Sequence, residues 1–84
     1  MDFMHGITLR QDMDDARHDE RRNCIRRLFA VLTAQLEDAA MLAAQGQAKA
    51  VTFDTAADLA AQIHDIATEV TTIAEAIELL CKQT

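Results

Sequence analysis

Residues 56–81 read AADLAAQIHDIATEVTTIAEAIELLC, and the spacing of their apolar side chains decides the fold. Ala56, Leu59, Ile63, Ile66, Val70, Ile73, Ile77 and Leu80 follow one another at alternating intervals of three and four. That is the a/d pattern of a heptad repeat, in which every apolar side chain returns to one face of a helix. A strand is excluded, because alternation would send Ile63 and Ile66 to opposite faces. Ala60, Ala67, Ala74 and Cys81 each follow a d residue, at position e. The stripe is therefore a/d/e, wider than a two-stranded seam and suited to a bundle, with small e residues that let a neighbouring helix come close. The pattern predicts a helix over about 55–82. Asp54 or Thr55 would cap its start, and Lys82 would face the negative end of its dipole.

Upstream, Ile25, Leu28, Phe29, Leu32, Leu36, Ala39, Ala40 and Ala43 recur at helical spacing, with Cys24, Val31 and Leu42 beside them. The stretch from residue 9 to residue 45 holds no breaker, so it is expected to form one long helix ending at Gly46 as a left-handed cap. Residues 1–7 are expected to be a flexible tail. Val51 and Phe53 in the connection are expected to fold over the bundle end. Two helices with a short connection should run antiparallel. With the turn centred near residue 50, Arg22 and Arg26 would lie level with Glu78 and Glu75. The first helix would overhang by roughly 10–15 residues, about 15–22 Å at the helical rise.

The composition agrees with an all-α single domain. The 84 residues contain no Pro, Trp or Tyr, two Gly and three Phe, so the punctuation of tight turns and sheets is missing. Alanine provides much of the apolar content and buries little surface. A chain of this size buries only about 60–65 % of its unfolded surface, so its core needs a supplement. Two distant cysteines without a CxxC or Cys/His cluster give no standard metal site. The start of the sequence lacks the basic and apolar regions of a secretory signal. No uncharged apolar run approaches the ~20 residues of a membrane span. A cytoplasmic, reducing setting is expected, with Cys24 and Cys81 as small core residues rather than a redox pair. Self-association remains as the supplement. The expected form is a homodimer of helical hairpins, closed as a four-helix bundle. Its dimer and core interface is expected to use Ile25, Leu28, Phe29, Leu32, Leu36, Leu59, Ile63, Ile66, Val70, Ile73, Ile77 and Leu80.

The net charge of −6 disfavours nucleic acid as a partner. The one basic cluster is Arg17, Arg21, Arg22, Arg26 and Arg27. It reads first as a solvated surface and second as a contact for an anionic partner, with a small DNA-binding regulator as the alternative function. His64 falls at a b position on the polar face and reads as a surface group, and no pair of strong ligands shares a helical turn with it or with His18. No nucleophile–base arrangement is recognisable, so no catalytic residue, cofactor or metal is expected. Met1, Phe3, Met4, Ile7, Leu9, Met13, Met41 and Leu79 are apolar residues without a place in either stripe. Such residues suit a protein contact. The stretch Ile66–Leu80 resembles the Ala/Ile/Thr/Glu heptads of bacterial signalling coiled coils such as chemoreceptor stems. Small helical hairpins of this size also include secretion chaperones and adaptors. The expected function is therefore a non-enzymatic protein-interaction module: an adaptor, regulator or small chaperone working as a dimer.

Overall fold

The computed structural model describes residues 2–83, with side chains from residue 15 onward. Two helices, α1 (Asp2–Gly46) and α2 (Phe53–Lys82), pack against each other as an antiparallel hairpin. No strand occurs among the described residues. The helix content follows from the absence of breakers: within α1 the single interior glycine is Gly6, and proline is absent. Helix α1 starts at Asp2 rather than at residue 9, so residues 2–7, expected as a tail, belong to it.

The connection differs from expectation at both ends, for local reasons. Gly46 is the last helical residue and no described residue takes a positive φ, so α1 does not end in a left-handed cap. Instead the chain tightens through i→i−3 bonds, Gln47 N–H to the Ala44 carbonyl at 3.1 Å and Ala48 N–H to the Gln45 carbonyl at 3.3 Å. Tightening of this kind satisfies carbonyls that have lost their helical partners. At the start of α2, Thr52 is the cap and not Asp54 or Thr55. Its backbone is extended (φ −80°, ψ 162°), and its Oγ1 accepts from Thr55 N–H at 3.1 Å. The Thr52 hydroxyl in turn donates to Thr55 Oγ1 at 3.0 Å. Thr55 thus takes the third helical position that Glu fills in a capping box.

The seam between the helices runs on a heptad in both. In α1 the half-buried positions are Arg21, Ile25, Leu28, Leu32, Gln35, Ala39 and Leu42. In α2 they are Ala56, Ile63, Ile66, Val70, Ile73 and Leu80, together with Leu59 and Ile77, which are 8 % and 7 % exposed. The other α2 residues shielded to that degree are Ala74 and Ala76, beside the seam. A Cβ built on Gly46 would meet Leu59 Cδ1 at 3.9 Å, and Arg21 donates to the Gln83 carbonyl. Those contacts join residues whose numbers sum to 105 and 104. Residue i of α1 therefore lies level with about 105 − i, not 100 − i. Arg26 comes level with Glu78 rather than Glu75, and Arg22 with the very end of α2 rather than with Glu78. Residues 2–20 of α1 extend past the end of α2. Those nineteen residues span about 28 Å at the helical rise, more than the expected overhang.

The result is a rod of 76 × 16 × 11 Å with a radius of gyration of 21.3 Å. A compact domain of this length has a radius near 12 Å. The accessible surface is 7033 Å². A folded monomer of this mass exposes about 5,000 Å², and its unfolded chain about 13,500 Å². The hairpin thus removes about half of the unfolded surface from water, where about 60 % is usual for a small domain.

Candidate protein-interaction surface

In an antiparallel pair of heptad helices, e positions of both helices border one side of the seam and g positions the other. A shallow groove of about 270 Å³ fixes the g side, since Asp38 and Gln62, both at g, line it together with Met41, Leu42 and Ile66. The opposite side carries Phe29, Leu36 and Ala43 from α1, and Phe53, Ala60, Ala67, Ala74 and Cys81 from α2. Phe29 is 53 % exposed, Leu36 55 % and Phe53 96 %.

This e face is apolar along most of its length. Ala40, Ala43, Ala60 and Ala67 on it or at its edge are exposed. Its edge threonines add no polar demand. Thr33 Oγ1 donates to the Phe29 carbonyl at 3.1 Å and Thr71 Oγ1 to the Ala67 carbonyl at 2.9 Å. With its hydroxyl turned onto the backbone, each threonine presents a methyl group outward. The g face is polar by contrast, with Asp38, Gln45, Gln62 and Glu69 on it. Val31, Met41 and Leu79 stand exposed on that side, interrupted by these polar residues.

Of the twelve residues expected at the dimer and core interface, the hairpin itself uses ten. Ile25, Leu28 and Leu32 enter the seam with Leu59, Ile63, Ile66, Val70, Ile73, Ile77 and Leu80. Phe29 and Leu36 stay outside it. Arg21, Gln35 and Leu42 occupy seam positions that the apolar stripe alone did not assign to α1. The missed signal is the strict three–four spacing from residue 21 to residue 42, which runs through two polar residues. Phe53 does not fold over the bundle end; it is at the first helical position with its ring open to solvent, while Val51 is half-buried.

The arginines do not form one strip. Arg17, Arg21, Arg22, Arg26 and Arg27 fall at g, d, e, b and c, which together go most of the way round the helix. Arg21 has a structural role. It lies 3.1 Å from His18 Nδ1 and holds the Gln83 carbonyl, the C-terminal cap of α2. A cation there complements the negative helix end. His64 is exposed at b, as expected. Cys24 and Cys81 are exposed rather than buried, because they fall at g and e, beside the seam and on opposite faces. Among the described residues no cluster of three His, Cys, Asp or Glu side chains is placed to hold a metal ion. No described helix is long and apolar enough to cross a membrane. The side chains of Met1, Phe3, Met4, His5, Ile7, Leu9 and Met13 lie outside the described residues.

The chain matches no protein-family model, and no characterised protein or solved structure matches it closely enough to indicate a family.

Proposed function

We propose that the chain is a non-enzymatic protein-interaction module that works as a homodimer of hairpins, closed as a four-helix bundle. One observation supports this above the rest: the hairpin leaves Phe29, Leu36 and Phe53 open to water on one largely apolar face, with Arg22, Arg26, His64 and Glu78 at its end and edges. Exposed apolar faces of this kind mark protein contacts. The accessible surface exceeds that of a folded monomer by about 2,000 Å² per chain, more than the roughly 600–1,000 Å² that each partner buries in a standard interface. With the e face covered, Val31, Met41 and Leu79 beside the groove on the g side remain for a second protein, as an adaptor, regulator or small chaperone requires. The scattered arginines give the DNA-binding alternative no comparable support.

Thermal unfolding over a hundredfold range of concentration tests the dimer. Association with the folded chain only makes the midpoint rise with concentration. A midpoint independent of concentration contradicts the reading.

A further inference from the structure

Resting on that dimer reading, we infer that a second copy covers the e face with its turn at the same end, the two-fold axis running along the rod. A face-to-face dimer has two symmetric choices. With the axis along the rod, α1 of each copy lies on α2 of the other at equal height. With the axis across the rod, α1 lies on α1 and α2 on α2, with the turns at opposite ends.

The side chains of the e face separate these choices. Its bulk is all on α1 along the shared length, and its small residues are on α2. The register brings Phe29 within about two residues of the height of Ala74, Leu36 of Ala67, and Ala43 of Ala60. An axis along the rod therefore sets large against small in the Phe29–Ala74 and Leu36–Ala67 layers and alanine against alanine in the Ala43–Ala60 layer, and both contacts have one thickness. An axis across the rod sets Leu36 on its own copy along one side and Ala67 on its own copy along the other. The two gaps then differ by the depth of two leucine side chains, and close packing cannot be kept in both.

Charge agrees. Arg26 and Glu78 both take b positions, at the outer edges of the face and at nearly equal height. Within one hairpin they stand on opposite edges. With the axis along the rod, Arg26 of one copy comes to the same edge as Glu78 of the other, twice per dimer, and Thr33 meets Thr71 beside them. With the axis across the rod, Arg26 comes level with Gly46 and Gln47 of the second copy. The turn gives a third argument. Phe53 sits at the tip of the e face and is 96 % exposed. Turns at the same end place it against residues 47–51 of the second copy, whereas turns at opposite ends place it at the C-terminal end of α2. The shared face is about 45 Å long from residue 21 to residue 50 and 16 Å wide. That footprint, about 700 Å² per copy, lies within the roughly 600–1,000 Å² per partner of a standard interface.

Disulfide trapping tests the arrangement. In a background of Cys24→Ser and Cys81→Ser, Ala43→Cys and Ala60→Cys are exposed e positions where the change costs little. Each chain is oxidised with copper–phenanthroline alone and after mixing, and Ala67→Cys is oxidised alone. The masses of the reduced variants are measured by light scattering. The expected result is a dimer in which the Ala43→Cys and Ala60→Cys chains cross-link to each other and neither cross-links to itself. Self-linking of Ala67→Cys without the mixed product overturns the arrangement and leaves the dimer standing. A dimer in which nothing cross-links also overturns it, since another face is then used. A monomer removes the dimer reading itself.

Discussion

Leu36→Ala separates the stability of the hairpin from that of the assembly. Alanine is at least as good a helix former as leucine, so α1 loses nothing locally. The substitution removes three carbons, each worth about 0.8 kcal/mol when taken fully out of water. Leu36 is 55 % exposed in the hairpin, and that fraction is what a second copy would cover. Scaled by it, the loss is about 1.3 kcal/mol per copy and about 2.6 kcal/mol per dimer. At about 1.4 kcal/mol per tenfold change, the dimer dissociation constant should rise about 70-fold. Sedimentation equilibrium over a dilution series reads that constant, and circular dichroism on the same samples reads the helix content. Ile77→Ala supplies the contrast. Ile77 is 7 % exposed within the hairpin, so its loss should cost about 2–5 kcal/mol of the fold itself and lower the helix content at every concentration. If Leu36→Ala leaves the dissociation constant within twofold of the parent, the e face is not the interface and the reasoning fails.

Three further outcomes follow from local structure. Thr52→Ala removes the cap of α2 and should cost about 1 kcal/mol in urea unfolding, while Asp54→Ala should cost markedly less; equal effects would mean that α2 starts where the sequence suggested. Gln35→Leu replaces a polar seam residue between Leu28 and Leu42 and should raise stability by about 1 kcal/mol, as polar residues at such positions do at a cost; a loss of that size would show that the amide is needed. Phe53→Ser should leave the helix content of the dissociated chain unchanged yet weaken the dimer several-fold, and a large loss of helix on dilution would show that the ring is covered within its own hairpin.

The sequence shows α2 almost whole because each of its a and d positions from Ala56 to Leu80 is apolar, so no other helical phase competes. The same clarity is missing in α1. Arg21 and Gln35 hold seam positions there, and Phe29 and Leu36 at e outweigh them in hydrophobicity. The most apolar line of α1 is therefore rotated from the seam toward e, and the residues that seemed central to the core prove to be its uncovered edge. The surplus in width was legible, since a/d/e stripes on both helices exceed what one hairpin can cover. The height of the pairing was not, because it depends on where the turn closes. Thr52, rather than an aspartate further on, sets that point through its two hydroxyl hydrogen bonds with Thr55. Cys24 and Cys81 are exposed because each lies one step outside the two-helix seam, at g and at e.

The central claim is that the e face is covered by a second copy, and the absolute mass in solution tests it most directly. Light scattering on a sizing column, repeated across a dilution series, should give twice the 9.3 kDa chain mass until the dissociation constant is crossed. A mass of 9.3 kDa at every concentration, with full helix content, would contradict it.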